Sequence, residues 1–107
     1  MNPSSAIIVL CTAPDKVTAT ALARLAIRRK LAACVNLLPG MTSIYHWQDQ
    51  LECSEEVQLI FKSDTEHQQD LLSLLKQAHP YDVPELLVIP VQHGDSEYLS
   101  WLHASLA

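Results

Sequence analysis

The stretch from Met41 to Ser63, MTSIYHWQDQLECSEEVQLIFKS, limits the possible folds more than any other. Tyr45 and Trp47 precede a polar Gln48-Asp49-Gln50 break, and Val57, Leu59 and Phe61 follow it. Strand formers on both sides of turn formers predict a β-hairpin. The second arm can extend from Leu51 to Lys62, about twice the usual ~5–6 residues of a strand. A small domain cannot cover arms of that length with its own helices. Either the tip is a twisted arm standing in solvent, or a partner surface covers Ile44, Trp47 and Leu51. The second reading is favoured, because exposed apolar edges are normally covered.

Composition then narrows the class. At 107 residues one domain, 1–107, is expected, with nearly half its residues hydrophobic and enough chain to bury about two thirds of its unfolded surface. Twelve Asp and Glu stand against seven Lys and Arg, the wrong sign for a nucleic acid or an anionic membrane surface. No segment approaches the ~20 apolar residues of a membrane span. The opening MNPSSAIIVLC lacks a basic lead-in and its apolar run continues into the fold, so it does not read as a signal peptide. A cytoplasmic location is expected, and three cysteines without paired spacing fit free thiols there.

Taken in order, Ala6–Cys11 is a continuous apolar run suited to a central strand. Pro14 suits a first helical turn and Asp15 a helix N-terminus. Val17, Ala21, Leu22, Leu25 and Ala26 predict a helix to about Arg29, with Arg24, Arg28, Arg29 and Lys30 complementing its C-terminal dipole. Leu31–Leu38 reads as a second strand, broken at Pro39-Gly40 before the hairpin. Ser63-Asp64-Thr65-Glu66 has the form of a capping box. It precedes a helix whose buried stripe is Leu71, Leu72, Leu74, Leu75 and Ala78, ended by Pro80. Leu86–Val91 is the last strand, with Pro90 marking an edge or bulge. Asp95 or Ser96 caps a short helix carrying Tyr98, Leu99, Leu102 and Leu106.

This order, strand-helix-strand-strand-helix-strand with a terminal helix, is the ferredoxin-like α+β arrangement, with both main helices on one face of an antiparallel sheet. Right-handed crossovers make the first and last strands neighbours near the middle of the sheet. The opposite face, only partly covered by the short terminal helix, requires another subunit.

VLCTAPD at Val9–Asp15, RKLAACVNLLPGMTSIYHW at Arg29–Trp47 and HPYDVPELLVIPV at His79–Val91 resemble the CutA divalent-cation-tolerance family in order and spacing, across almost the whole chain. The resemblance implies a ferredoxin-like subunit in a compact homotrimer whose hairpins pair across subunits. Ile44, Tyr45, Trp47, Leu51 and Cys53 are its expected interface residues. It further implies a role in tolerance of copper and other divalent cations, with Cys11 and His79 as metal ligands. Ala78 stands where some relatives carry a second histidine.

Topology alone places Cys11, the first helix N-terminus, the His79–Glu85 loop and the hairpin turn at one end of the subunit. A thiolate beside an imidazole suits copper or zinc by softness. Against this, a cysteine in an apolar run commonly packs as a small hydrophobe, and two ligands do not complete a tetrahedral site. Asp82 and Glu85 at the same end can bind a cation or remain solvated. Cys34 reads as core filler, Cys53 as a residue near the hairpin tip, His46 as an exposed strand residue and His93 as part of a turn. His67 and His103 read as solvated helix residues.

Three functions are compatible with these features. The first is a non-enzymatic trimer binding divalent metal, copper first. The second is a small-ligand or signalling module, by analogy with PII-like trimers that bind ligands between subunits. The third is an enzyme with Cys11 as nucleophile and His79 as base, which the apolar setting of Cys11 disfavours.

Overall fold

The computed structural model describes residues 5–107; residues 1–4, and with them the start of the segment read as leaderless, lie outside the described residues. Seven elements follow in order: β1 (Ala6–Ala13), α1 (Lys16–Arg28), β2 (Cys34–Trp47), β3 (Gln50–Asp64), α2 (Gln68–Ala78), β4 (Leu87–Pro90) and α3 (Ser96–Ser105). The strands form one antiparallel sheet in the order β2-β3-β1-β4. The first and last strands are neighbours, as expected, but β4 is an edge rather than a middle strand. That position suits Pro90, which has no N–H to give to a further strand.

Alternation along β1 and β3 defines the two faces. Val9 lies opposite Phe61, Cys11 opposite Leu59 and Ala13 opposite Val57. All six are buried against Leu22 and Ala26 of α1 and Leu71 and Leu75 of α2. The α1 stripe is Ala19, Leu22, Ala23 and Ala26, the 3-4 spacing of a single helix face. Val17 and Ala21, expected within it, are exposed, and so is Ala78 at the end of α2. On the other face Ile8, Leu10 and Ile60 are half-buried, while Leu38, Leu87 and Ile89 are exposed. Helix α3 covers only the Ala6 end of that face, through Leu102 and Leu106.

The helix boundaries follow from capping chemistry. Asp15 is the N-cap of α1 and accepts a hydrogen bond from Thr18 N at 2.7 Å, so Pro14 lies outside the helix rather than in its first turn. The backbone and side-chain hydrogen bonds to Thr18 hold the Asp15 carboxyl below its ordinary range. Lys30, at φ 56°, takes the left-handed position after the helix. Lys30 N and Leu31 N then bond Ile27 O and Ala26 O, which satisfies the last turn. The expected capping box at Ser63–Glu66 does not form, because β3 continues to Asp64 and turns Ser63 inward, where its Oγ donates to Leu31 O at 2.7 Å. Asp64 takes over instead and accepts from His67 N at 3.0 Å. Asp95 caps α3 by accepting from Tyr98 N at 3.0 Å.

The hairpin is longer than its sequence pattern indicates. β2 begins at Cys34, not Leu31, and passes through Pro39-Gly40 without ending. The expected break is a bulge: the register steps from Leu38↔Gln58 to Met41↔Glu56. Gly40 there has φ 76°, the left-handed angle such a bulge uses. Pro39 falls within that shift, where no partner residue faces it, so its missing N–H is tolerated. The turn itself is Gln48-Asp49, both residues at positive φ (51° and 63°), the arrangement that matches strand twist in a two-residue loop.

A Cβ added at Gly40 meets nothing within 4 Å, so Gly40→Ala tests the backbone angle alone. It is expected to lower stability by about 1 kcal/mol with the fold retained, read as a lower denaturant midpoint at unchanged far-ultraviolet circular dichroism.

Candidate functional site

Three elements meet where β1 ends. β1 brings Cys11 and Thr12; the hairpin brings Glu56 and Gln58; the loop after α2 brings His79 and Tyr81. Pro80 keeps His79 out of helical angles, at φ −73° and ψ 140°. This turns its ring inward, leaving the residue 7 % exposed.

Both ring nitrogens of His79 are engaged. Nε2 lies 2.7 Å from Thr12 O, a carbonyl that can only accept, so the ring donates there. Nδ1 accepts from Tyr81 N at 3.1 Å, which fixes the neutral tautomer with its proton on Nε2. The Tyr81 ring packs against the imidazole with centroids 4.7 Å apart, and its hydroxyl donates to Glu56 Oε2 at 3.0 Å. Cys11, fully buried, directs its thiol to the same Thr12 O at 3.6 Å. Gln58 Nε2 donates to Cys11 O and Leu59 O. One backbone carbonyl thus joins the two residues expected as metal ligands.

Burial and charge together set the protonation states. Burial, then the negative charge of Glu85, pushes the Cys11 thiol from its ordinary 9.0 up to about 12; the hydrogen bond to Thr12 offsets this in part and Glu56 adds to it. Burial and the hydrogen bond to Glu56 likewise raise the Tyr81 hydroxyl to about 12. A thiol so held is protonated at neutral pH, the opposite of what an activated nucleophile needs.

In front of this network lies an open cleft of about 680 Å³, lined among others by Thr12, Tyr45, Trp47, Glu56, Tyr81 and Glu85. Asp82 also lines it, and none of its lining residues is basic. The residues near the hairpin tip are exposed: Ile44 is 68 %, Trp47 51 % and Leu51 71 % exposed, with Tyr45 and Cys53 exposed beside them. Ile44, Tyr45 and Trp47 line the cleft, and the Tyr45 hydroxyl lies 3.4 Å from Ser54 Oγ. Cys34 is not core filler: it lies half-buried on the face away from α1 and α2, 3.9 Å from Lys62 Nζ.

Sequence reasoning did not assign Glu56, Tyr81 or Thr12. Glu56 is one of three glutamates on its arm, with Glu52 and Glu55, and nothing in the sequence separates it from the other two. Thr12 acts through its carbonyl, which leaves no trace in residue type. His67 and His103, expected to be solvated, both reach Asp64.

Because the Cys11 pKa is raised on folding, the folded state holds the proton more tightly. Its stabilising contribution is intact below the ordinary value of 9.0 and is lost progressively as pH rises toward about 12. Thiol labelling of Cys11 is expected to be slow in the native protein at neutral pH and fast in denaturant. Rapid native labelling, followed by mass spectrometry of the Cys11 peptide, is the contrary result.

Residues 7–105 match the family model described as CutA1 divalent ion tolerance protein. The divalent-cation tolerance protein CutA of Yersinia pestis (strain Pestoides F) is 62 % identical over 103 residues, 96 % of this chain and 87 % of the relative. The crystal structure of CutA from Xylella fastidiosa superposes with a TM-score of 0.94 at 35 % identity, over 97 % of this chain and 100 % of that one. A divalent cation tolerance protein (Cut A1) from Thermus thermophilus gives 0.90 at 39 % identity, over 94 % and 97 %.

Proposed function

The chain belongs to the CutA1 divalent ion tolerance family, and on that premise we propose that it is a non-catalytic, cytoplasmic protein that binds divalent metal ions, copper first, as a homotrimer of ferredoxin-like subunits. The observation that carries this reading is the acidic cleft. Glu56, Asp82 and Glu85 line it without a basic residue, and Cys11 and His79 are hydrogen-bonded to its lining residues Thr12 and Tyr81.

The donor chemistry fits a thiophilic cation with conditions. A thiolate and an imidazole suit copper or zinc. To ligate, Cys11 releases its proton and His79 gives up either Thr12 O or Tyr81 N–H, so binding is coupled to proton release and to local rearrangement. The charges of Glu56 and Glu85 that oppose the thiolate in the metal-free chain favour a cation. Among the described residues Cys11 and His79 belong to no group of three converging ligands within one subunit. Further donors come from the cleft carboxylates or from a neighbouring subunit, and a trimer brings such a neighbour.

The apolar hairpin supports assembly independently. Ile44 and Leu51 lie on one face of the arm and Tyr45 and Trp47 on the other, as their pairings Ile44↔Cys53, His46↔Leu51, Tyr45↔Glu52 and Trp47↔Gln50 require. An arm apolar on both faces is covered only by insertion between other subunits. The size of the cleft favours a second reading, a small organic ligand bound as in PII-like modules, since ~300–1,000 Å³ is the range of such sites.

Calorimetric titration with copper(II) and zinc distinguishes the two. Metal binding is expected with proton release that varies with buffer ionisation enthalpy. Cys11→Ser and His79→Ala should each weaken it at least tenfold and combine non-additively, and Glu85→Gln, at an exposed position, gives a variant whose folding is not at risk. No heat with either metal defeats the metal reading. Light scattering is expected to return three times the subunit mass at micromolar concentration. Trp47→Asp should reduce that mass while the subunit's circular dichroism is kept; a monomer in the unsubstituted protein defeats the assembly.

A further inference from the structure

The cleft at the foot of the hairpin carries more chemistry than metal binding uses. Its three carboxylates come from two parts of the chain: Glu56 from β3, Asp82 and Glu85 from the loop after α2. Among the described residues none of them pairs with a Lys or Arg. Lys76, the cation that reaches this loop, gives its Nζ to the Asp82 carbonyl at 2.8 Å and does not line the cleft. Glu56 accepts a hydrogen bond from the Tyr81 hydroxyl, which leaves its charge in place. The charges of Glu85 and Glu56 are felt as far as Cys11, whose thiol they help push up. Like charges gathered in a concave, partly apolar opening attract cations.

The form of the cation follows from the spacing of the charges and from the other walls. A single metal ion draws its ligand atoms to one point. Glu56, Asp82 and Glu85 form no such converging group, so their charge is spread across the opening. At about 680 Å³ that opening has the size of an organic ligand site rather than of an ion. Much of the remaining wall is aromatic. Tyr45 and Trp47 alternate along β2 and so stand on one face of it. Both are about half exposed, at 42 % and 51 %, and Tyr81 lines the same space from the loop. Rings of this kind hold ammonium groups over their faces and pack against methylene chains.

We propose that the cleft binds a linear di- or polyamine, its ammonium groups on Glu56, Asp82 and Glu85 and its methylene chain along Tyr45 and Trp47. The proposal rests on the small-organic-ligand reading of the cleft and adds the charge and the shape of the ligand. It uses neither Cys11 nor His79. Ammonium groups joined by methylenes match separated carboxylates, which a compact quaternary ammonium does not. Nucleotides and dicarboxylates carry the wrong sign and are repelled. Because the arm also carries the proposed contacts to a neighbour, the amine lies between subunits.

Tryptophan fluorescence of the full chain tests this. Trp101 of α3 does not line the cleft, so in Trp101→Phe the emission reports Trp47 alone. Titrations in EDTA, where no metal takes part, compare three probes of similar length: hexamethylenediamine, hexanediol and adipate. The diamine is expected to change the Trp47 emission and to bind about tenfold more tightly than the diol, with adipate not binding and the diamine's affinity falling as salt is added. Asp82→Asn and Glu85→Gln together, both at exposed positions, should weaken the diamine about tenfold with circular dichroism and the mass by light scattering unchanged. The proposal is overturned if the diol or adipate binds as tightly as the diamine, a result that keeps the small-ligand reading and removes only the amine. It is overturned equally if the double variant titrates like its parent. No response to any of the three probes defeats the small-ligand reading with it and leaves metal binding to its own titration.

Discussion

Strand β3 is longer than the strand it lies beside, and much of the molecule follows from that mismatch. β1 pairs with β3 only from Val57 to Asp64, while β2 accompanies β3 along almost its whole length. The remainder of the hairpin, from Gln50 to Glu56, leaves the sheet with β2 as its sole neighbour. The chain is accordingly drawn out to 49 Å against 26 and 22 Å in the other directions. The projecting arm forms one wall of the cleft, and the Tyr81–Glu85 loop forms the other.

The root of that arm is where the candidate chemistry sits. A single carbonyl, Thr12 O, accepts from Cys11 and from His79, and Tyr81 carries the connection on to Glu56 of the hairpin. The network has one stable metal-free arrangement, with every ring nitrogen occupied and the thiol protonated. Cys11 and His79 share that carbonyl, and the chain of bonds from it ends at Glu56 on the hairpin.

Much of the fold was legible because local signals and tertiary needs agree. Asp15 caps the helix that its position announces, and Pro80 ends α2 for the reason its missing N–H and its clash with a preceding helical residue dictate. The convergence of Cys11 with His79 was readable from strand direction alone. Misreadings arose where a residue's role depends on a neighbour far away in sequence. Pro39-Gly40 has the form of a stop, yet an edge strand absorbs it as a bulge. Ser63 has the form of a cap, yet β3 continues one residue further and Leu31 O claims its hydroxyl. His103 looked solvated because the carboxylate it meets is 39 positions away. Helical periodicity put Leu22 and Ala26 in the stripe of α1 correctly but added Val17 and Ala21, where the face that the sheet selects runs through Ala19 and Ala23.

The flank of β3 between Gln50 and Glu56 that β1 leaves unpaired also bears on the behaviour of newly made chains. A bare strand edge beside apolar residues is a template for indiscriminate pairing with any extended chain. This one carries Glu52, Glu55 and Glu56, so two such edges approaching in antiparallel fashion bring like charges together. Those carboxylates act as gatekeepers, keeping newly made chains from stacking edge to edge into fibres.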